Sequence, residues 1–458
     1  MTAKVKKLRP ADLIFKRRGS FILRLVYVIF GITLSLFFRR IELVNIDKLP
    51  PESGLIFVSN HPNALIDPAL VFVALPRRVA FLAKSTLFKI PLFGFLLRVI
   101  GALPLYRQQD AGGADVSKNQ KTFAVARELL KSGGAIAIFP EGVSHNSPKL
   151  LPLKTGAARI ALGTISVGVN PASLKLSIVP VGLFYTNKTT FRSEALMHFG
   201  EPIPVSPVEL GADGQPPKTA VKDLTAKIEN ALREVTLNAE SESEIAVARI
   251  AEEVYTATTE HDENLAERLE FLQKFVAEPP NETDGKLEKQ LAEYERKLDR
   301  LGIESEFLAL ADYSKQFVLK HAFLRSWYLI LFAPLAVFGA VLHFPAYQTA
   351  KFLAFLQTRK GDFDVASTVK VLVSMVLIPL TWLVFAAVLY FYFGWVIALP
   401  AIPFSFLCGY IALRSLEETV ELSGWLKAIS LFFLQREKFL RLLAERRNLF
   451  EKLNRVEK

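Results

Sequence analysis

The amino-acid sequence predicts an α/β domain, a mostly parallel sheet flanked by helices, in a chain with membrane segments towards both ends. Between residues 45 and 205, short apolar runs of strand length alternate with amphipathic helical patterns. Three hydrophobic segments of about 20 residues, enough to span a bilayer, lie in the last third of the chain. Of the 458 residues, 51% are hydrophobic and 22% are charged, which indicates that one part is buried in a membrane and another is in water.

These patterns divide the chain into five regions. A basic, membrane-associated N-terminal helix is expected over 1–44, and the α/β domain over 45–205. A charged helical region follows at 206–315, after which come C-terminal transmembrane hairpins at 316–420 and a basic amphipathic tail helix at 421–458.

The charge balance indicates an anionic partner. Lys and Arg exceed Asp and Glu by 11, and the Lys/Arg clusters lie beside apolar stretches, which favours the anionic cytoplasmic leaflet of a membrane. Nucleic acid is not an expected partner, because the α/β region lacks interleaved basic and aromatic residues. The single cysteine, Cys408, excludes a disulfide framework and a thiolate metal cluster, and it agrees with a reducing compartment.

The N-terminal apolar run covers 21–38 and does not resemble a cleavable signal peptide. It contains Arg24 and ends at Arg39-Arg40 without a small-residue cleavage site. Basic residues on both sides favour a helix that lies in, or dips into, the cytoplasmic leaflet over a clean span.

Four apolar runs predict the strands of the α/β domain: 55–59, 79–83, 135–139 and 176–185. Before the third strand, Ser117 and Gln120 predict a capping box for a helix that ends at Gly133-Gly134. A second amphipathic helix is expected over 153–165. In the charged region, a helix-packing seam that ends at Gly302 is predicted by five apolar residues at spacings of four, three, four and three: Leu287, Leu291, Tyr294, Leu298 and Leu301.

The hydrophobic segments at 326–346, 371–393 and 395–413 are all flanked by basic residues, including Lys360. Three plain spans would place some of these residues outside, against the positive-inside tendency. We therefore expect 326–346 to be a re-entrant hairpin bent at Pro334, followed by a two-helix transmembrane hairpin. The tail 425–458 is expected to lie on the membrane surface as an amphipathic helix.

The stretch "VSNHPNALIDPAL" (58–70) follows the first predicted strand and carries the candidate catalytic groups. Pro62 and Pro68 disfavour a regular helix from His61 to Asp67, so a bent backbone can bring the two side chains together. Asp67 would hold one imidazole nitrogen and leave the other as a base. No G-x-S-x-G nucleophile elbow exists in the chain, which indicates that the nucleophile is a hydroxyl of the substrate. A histidine and an aspartate that only cap a strand and a helix remain the alternative.

Cations follow the other predicted strands. Lys84 and Arg107 come after the second strand, and Glu141-Gly142 and Lys154 come after the third. Cations and a glycine-containing loop at one edge of a sheet are suited to bind a phosphate group.

The order of these blocks resembles the membrane-bound glycerophospholipid acyltransferase family over 45–205. The blocks are the His/Asp motif, "GALPLYR" (101–107), "FPEG" (139–142) and "SIVPVGL" (177–183). The family usually has four residues between His and Asp, where this chain has five. It also has Thr-Arg after Glu-Gly, where this chain has Val143-Ser144. These departures and the C-terminal hydrophobic hairpins are more similar to the glycerol-3-phosphate/dihydroxyacetone-phosphate acyltransferase branch.

The resemblance implies that a fatty acyl group moves from acyl-CoA or acyl-carrier protein to glycerol 3-phosphate, in phospholipid biosynthesis. His61 would be the general base, oriented by Asp67, and the oxyanion would be bound by backbone N–H groups near Pro62-Asn63 or at Gly142. The resemblance also implies that Glu141 contacts the glycerol and that His145, Lys149 or Lys154 replaces the family's phosphate-binding Arg. The residues expected to bind the substrate are Lys84, Arg107, Glu141, Gly142, His145 and Lys154.

Two alternatives stay open from the sequence. One is acylation of lysophosphatidate (1-acylglycerol 3-phosphate) to phosphatidic acid, and the other is a non-catalytic peripheral lipid-binding protein. Membrane lipids are expected partners, and no cofactor or metal is expected. The protein is expected to be integral to a membrane, with its catalytic domain on the cytoplasmic face.

Overall fold

A computed structural model describes residues 4–14, 19–51, 53–107, 116–166, 174–259, 264–278, 286–308, 315–359 and 366–454. The chain forms two compact units. The first comprises residues 1–238, 264–269 and 361–368, and the second comprises 239–263, 270–360 and 369–458.

The first unit is built on a single sheet, to which the described residues contribute nine strands in the order β1-β2-β8-β7-β3-β6-β4-β5, with β9 paired to β7. The strands are β1 Val5–Lys7, β2 Phe38–Val44, β3 Gly54–Ser59, β4 Ala80–Lys84, β5 Leu103–Leu105, β6 Ala135–Ile138, β7 Leu176–Tyr185, β8 Ser193–Phe199 and β9 Ile203–Pro204.

Five adjacent strands, β7-β3-β6-β4-β5, run parallel, so the predicted mostly parallel α/β fold is confirmed. All six residues of β3 are buried, as expected for a central parallel strand covered on both faces. The carboxyl ends of parallel strands share one edge of the sheet, where open α/β folds bind their ligands. The loop after β3, which carries His61, therefore starts at that edge.

In the described part of the first unit, seven helices flank the sheet: α1 Pro10–Ile14, α2 Phe21–Phe37, α3 Ile66–Ala74, α4 Pro91–Ile100, α5 Asn119–Lys131, α6 Gly156–Ile165 and α7 Lys218–Val235. Apolar residues of α5, α6 and α7 form one core with strands β3, β4, β6 and β7. Gly182 of β7 allows α7 to approach the sheet, because a Cβ atom there would lie 1.7 Å from the carbonyl oxygen of Val235.

The N-terminal apolar run forms helix α2, which is amphipathic in this unit. One side is buried, with Tyr27 stacked on Phe72 at 4.2 Å between ring centroids. The other side exposes Phe21, Ile22 and Leu25. Its 17 residues make it shorter than the helices that are long enough to cross a bilayer. The expectation that α2 lies at a membrane surface stays a prediction.

Helix α5 begins later than the predicted capping box at Ser117 places it. The helix begins at Asn119 after a 3₁₀ turn over 116–118, and the capping residue Lys118 makes no side-chain cap hydrogen bond. Asn119 explains the late start, because its side-chain amide binds the backbone N–H and C=O of Tyr106 at 2.9 and 2.8 Å. This tertiary contact determines how the chain enters the helix.

Most of the remaining seven helices belong to the second unit: α8 Glu242–Thr259, α9 Leu265–Ala277, α10 Lys286–Leu301, α11 Lys315–Thr358, α12 Ala366–Phe393, α13 Trp395–Leu434 and α14 Arg436–Asn454. The first residues of α9 and α12 lie in the first unit. The predicted seam of α10 is buried from Leu287 to Leu298, and Gly302 follows with a left-handed φ of 61°.

Three helices of the described chain are long and apolar enough to cross a membrane: Phe323–Leu356, Ser367–Phe393 and Trp395–Leu434. The re-entrant hairpin expected at 326–346 is wrong, because α11 continues through Pro334 and Pro345 without reversing. Each proline removes only one backbone hydrogen bond, whereas a reversal inside lipid would leave several backbone groups without partners. Lys360, one of the flanking basic residues on which the expected topology was based, lies outside the described residues.

The tail is divided between two helices, whereas the sequence predicts one amphipathic helix, and its placement on a membrane surface stays a prediction. Residues 425–434 continue α13, and the separate helix α14 begins at Arg436. The apolar side of α14, including Phe439 and Leu449, is buried in a cluster with α8 and α10. Arg446 is buried as well and donates to the carbonyl of Ser305 at 2.8 Å. Residues 455–458 of the predicted tail lie outside the described ranges.

Candidate active site

The loop between β3 and α3 is anchored to the neighbouring strand β7. The side chain of Asn60 donates to the carbonyl of Leu183 at 3.0 Å and accepts the N–H of the same residue at 2.7 Å. Ala64 has a φ of 36°, in the left-handed region that non-glycine residues rarely adopt. The sharp turn that results returns the chain towards the strand end.

This turn brings His61 and Asp67 into contact. Nδ1 of His61 lies 2.8 Å from Oδ2 of Asp67. A carboxylate can only accept here, so Nδ1 carries the proton and Nε2 is the basic nitrogen. Nε2 has no hydrogen-bond partner among the residues that the structure describes, and the side chain is 18% exposed. The ring stacks on Phe139 with centroids 4.1 Å apart. The pairing predicted from the sequence is therefore present.

Asp67 is fully buried and its charge is satisfied by donors. Oδ2 accepts the backbone N–H of Asn63 at 2.7 Å in addition to His61, and Oδ1 accepts the hydroxyl of Tyr185 at 2.6 Å. Burial, followed by the charge of Asp67, raises the pKa of Tyr185 well above its usual value, so the phenol stays protonated and donates. Such a network fixes the carboxylate in the orientation that His61 requires.

Sequence reasoning missed Tyr185. It is the last residue of a predicted strand, which made it seem part of an apolar run. Because β7 is parallel to β3 and adjacent to it, the phenol lies at the same sheet edge as His61. The available signal for a site residue was a polar hydroxyl at the carboxyl end of a buried strand.

Glu141 connects the loop after β6 to the His61 loop. Its fully buried carboxylate accepts the backbone N–H groups of His61 at 3.0 Å and Leu151 at 2.9 Å, and it also bonds Nε2 of His145. The backbone N–H of His145 donates to the carbonyl of His61 at 3.2 Å. Both oxygens of Glu141 are thus engaged by protein donors. In this arrangement Glu141 links the loop after β6 to the His61 loop. The expected contact of Glu141 with glycerol stays a prediction.

His145 is held in one tautomer. Its Nδ1 accepts the N–H of Ser147 at 3.1 Å, so Nε2 carries the proton that is donated to Glu141. Both ring nitrogens of His145 therefore bond protein groups in this arrangement. Which residue replaces the family's phosphate-binding Arg stays a prediction among His145, Lys149 and Lys154.

Arg107 and Lys154 converge on Gly142. Nη1 of Arg107 donates to the carbonyl of Gly142 at 2.5 Å. The stem of Lys154 covers the same glycine, since a Cβ there would lie 3.3 Å from Cε of Lys154. Gly142 itself has a φ of 76° in the turn after β6. Lys84 ends β4 opposite Leu105 of β5, two residues before Arg107. The three cations therefore lie at the carboxyl ends of neighbouring strands.

The expected oxyanion donors are already engaged. The N–H of Asn63 donates to Asp67, and the N–H of Gly142 donates to the carbonyl of Phe139 at 3.0 Å. Neither is free to bind an oxyanion in this arrangement. Within the described ranges, no group of three or more His, Cys, Asp or Glu residues is placed to hold a metal ion.

Comparison with known families agrees with this geometry. Residues 40–183 match the family model described as acyltransferase, and residues 268–458 match the model of the glycerol-3-phosphate acyltransferase 2 C-terminal domain. The resemblance to the glycerol-3-phosphate acyltransferase branch is confirmed. The two matched regions include the β3 loop and the three long apolar helices.

Three curated relatives give the extent of the similarity. The chain is 28% identical to glycerol-3-phosphate O-acyltransferase 2 of Saccharomyces cerevisiae over 60% of this chain and 39% of the relative. It is 25% identical to glycerol-3-phosphate O-acyltransferase 1 of that yeast over 78% of this chain and 59% of the relative. The chloroplastic 1-acyl-sn-glycerol-3-phosphate acyltransferase LPAT1 of Arabidopsis thaliana is 27% identical over 36% of this chain and 41% of its own length. The chain thus spans less than two thirds of each of these three relatives.

Proposed function

We propose that this protein is an O-acyltransferase that moves a fatty acyl group from an acyl thioester to glycerol 3-phosphate. The observation that carries the proposal is the His61–Asp67 pair, which leaves Nε2 of His61 as a base at the sheet edge where Arg107 and Lys154 meet. A base without a protein nucleophile suits a reaction in which the substrate supplies the attacking hydroxyl.

In the proposed reaction, Nε2 of His61 takes the proton from an acceptor hydroxyl as its oxygen attacks the thioester carbonyl carbon. The tetrahedral intermediate collapses with cleavage of the C–S bond, and the imidazolium returns the proton to the departing thiolate. Asp67 stabilises the imidazolium between these two steps. A positioned base of this kind supplies roughly 10²–10⁴-fold of the rate.

The acceptor phosphate is assigned to Arg107, with Lys84 and Lys154 nearby. Arg offers a rigid fork of donors that matches phosphate oxygens. We assign an indirect role to Glu141 and His145, because they hold the backbone of the His61 loop and the turn at Gly142 rather than the substrate itself.

Glycerol 3-phosphate is favoured over lysophosphatidate as the acceptor by the extent of the similarity. The yeast relatives align over 60% and 78% of this chain, whereas the plant 1-acylglycerol-3-phosphate acyltransferase aligns over 36%. The C-terminal family match, over 268–458, belongs to the same branch. Acyl-CoA and acyl-carrier protein are both candidate donors.

Three long apolar helices indicate a membrane protein. We further propose that the catalytic unit lies on the cytoplasmic face. To test this, Ser132, an exposed residue at the end of α5, is replaced by Cys in a Cys408→Ala background. An impermeant thiol reagent should label this Cys only after the cells are permeabilised, and labelling in intact cells would reject the orientation.

The activity is tested with membranes that contain the wild-type chain or His61→Ala. Labelled glycerol 3-phosphate and labelled lysophosphatidate are supplied in parallel, each with acyl-CoA or acyl-carrier protein. The proposal expects acylation of glycerol 3-phosphate by the wild type and its loss in His61→Ala. Turnover of lysophosphatidate alone would establish the alternative acceptor. If the wild type and His61→Ala bind lipid equally and neither turns over a substrate, the protein is non-catalytic.

A further inference from the structure

In the loop between His61 and Asp67, four consecutive backbone N–H groups each have a different acceptor. Asn63 donates to Asp67 at 2.7 Å, and Ile66 donates to the carbonyl of Asn63 at 2.9 Å. Between them, Ala64 donates to Oγ of Ser144 at 2.9 Å, and Leu65 donates to Oγ1 of Thr368 at 3.1 Å. Two of the four acceptors therefore come from outside the loop.

Thr368 is 303 residues from Leu65 in the sequence and lies in the first turn of α12. Its residue is 3% exposed, and the preceding Ser367 is 1% exposed. The hydroxyl of Ser367 donates to the carbonyl of Lys188, which also accepts the side-chain amide of Asn63 at 3.2 Å. Ser367 and Thr368 thus reach the loop by two routes, one direct and one through a shared carbonyl. Both belong to the first compact unit.

We propose that Thr368, supported by Ser367, is a positioning residue for the His61–Asp67 pair. This inference rests on the proposed acyltransferase function. Among the described residues, the Thr368 hydroxyl bonds the backbone of Leu65 and not the proposed base or its carboxylate, so it acts through the loop backbone.

Leu65 is a sensitive place at which to hold the loop. It immediately precedes α3, it has no side-chain cap of its own, and it follows the left-handed Ala64. Asp67 lies two residues later in the first turn of α3, so a rotation at Leu65 moves the carboxylate. Leu65 is half-buried, so loss of the acceptor for its N–H is unfavourable, and the loop would shift to regain a partner. Displacement by about 1 Å at a catalytic group can cost about 10²-fold in rate.

Ser144 and Thr368 hold adjacent N–H groups of the same turn. Ser144 comes from the loop after β6, and Thr368 comes from the region matched by the C-terminal family model. The acyltransferase domain predicted over 45–205 therefore contains one of these acceptors but lacks the other. The residues at the start of α12 complete the loop.

The experiment compares Thr368→Val, which keeps the shape but removes the hydroxyl, with Thr368→Ser, which keeps the hydroxyl. Thr381→Val is the matched control, because within the described ranges the bond of the Thr381 hydroxyl goes to the carbonyl of Leu377 in the same helix. Kinetics are measured on the full-length protein with glycerol 3-phosphate and acyl-CoA, per folded enzyme, beside the thermal midpoint of each variant. Thr368→Val should lower kcat about tenfold while both KM values change less than about twofold. Thr368→Ser and Thr381→Val should stay within about twofold of the wild type.

A second readout separates positioning from general packing. If Thr368 acts by placing Asp67, then Thr368→Val should cost little further in an Asp67→Asn background, because residues that act as a unit are not additive. A full tenfold loss in that background would contradict the inference, as would equal losses in Thr368→Val and Thr368→Ser. Should the Val variant not fold, Thr368→Ala against Thr368→Ser makes the same comparison.

The outcomes distinguish this inference from the proposed function. If the wild type does not acylate glycerol 3-phosphate, or if His61→Ala is as active as the wild type, the proposed function fails. If the wild type is active, His61→Ala is inactive and Thr368→Val equals Thr381→Val, only the positioning role is wrong.

Discussion

Histidines in the two compact units are held in opposite ways. His61, at the carboxyl end of β3, has a carboxylate on one ring nitrogen and no protein partner for the other among the described residues. His343, in α11, has both nitrogens engaged by neutral groups. Its Nδ1 lies 2.7 Å from the carbonyl oxygen of Gly339, and its Nε2 accepts the indole N–H of Trp382 at 2.7 Å.

The difference lies in what happens when the ring takes a proton. In the proposed reaction, Asp67 would stabilise the imidazolium that forms when His61 acts as the base. A proton on Nε2 of His343 would occupy the lone pair that accepts the indole N–H of Trp382 and would break that bond. His343 also packs closely against Gly409, where a Cβ would lie 2.7 Å from its Cε1. An ionisable residue in an apolar helix often has a functional role, but here the contacts assign His343 to helix packing.

The largest expected effect is that of replacing His61, compared with replacing His343. His61→Ala should lower acyl transfer by about 10²–10⁴-fold, because it removes the general base. His343→Leu should leave turnover per folded enzyme within about threefold and should lower the thermal midpoint, because it removes two hydrogen bonds. Steady-state rates and thermal unfolding in detergent are measured for both. A catalytic loss in His343→Leu equal to that of His61→Ala would contradict the distinction.

Asp67→Asn should have the next largest effect, about 10²–10³-fold on kcat. The amide removes the charge that stabilises the imidazolium and can present a donor to Nδ1, which disturbs the tautomer. Membrane association and the amount of folded protein should match the wild type. Activity within a few-fold of the wild type would mean that Asp67 only caps α3.

Arg107→Ala sharpens the assignment of the substrate phosphate. We expect the KM for glycerol 3-phosphate to rise about 10–100-fold, because a charge-assisted contact is lost, while the KM for the acyl donor barely changes. Lys222→Ala, at an exposed position of α7, is the control for lost positive charge. If the donor KM rises instead, the orientation of the two substrates is reversed.

The smallest expected effect concerns Tyr185. Tyr185→Phe removes one hydrogen bond to Asp67 and should lower kcat about three- to tenfold with both KM values unchanged. An unchanged kcat would mean that the bonds from His61 and Asn63 suffice to hold the carboxylate.

The same variant tests the raised pKa of Tyr185. Folding keeps the buried phenol protonated, so its contribution to stability is fully present below the unfolded pKa of about 10 and is lost as pH rises from there towards the folded pKa. The wild type should therefore lose stability above about pH 10 more steeply than Tyr185→Phe. Parallel pH–stability curves would contradict the buried, protonated phenol.

The elements of the fold that sequence predicted well are those governed by local burial patterns. The runs at 55–59 and 176–185 became β3 and β7 with shifts of at most one residue, and the seam of α10 is buried as its spacing requires. An apolar run or a helical repeat has the same consequence wherever the chain places it, because the side-chain period alone decides which face is buried. The pairing of His61 with Asp67 was predictable in a similar way, because a proline beside each residue disfavours a regular helix between them.

Hydrogen-bond partners could not be predicted from local sequence patterns. The hydroxyls of Tyr185 and Thr368 reach the catalytic loop from 118 and 303 residues away along the chain, and no local pattern specifies those encounters. Sequence reasoning assigned Glu141 and His145 to the substrate, whereas in the structure their polar atoms bond protein groups. The continuity of α11 through Pro334 also depended on more than the residue type.

The sequence by itself determined which residue types stand at strand ends and which segments are apolar enough to be buried. Only the tertiary structure decided which buried polar atoms satisfy one another and which nitrogen is left to act as a base. The physical reason is that a buried donor or acceptor requires a partner within about 3 Å, and strand order and helix packing determine which atoms come that close.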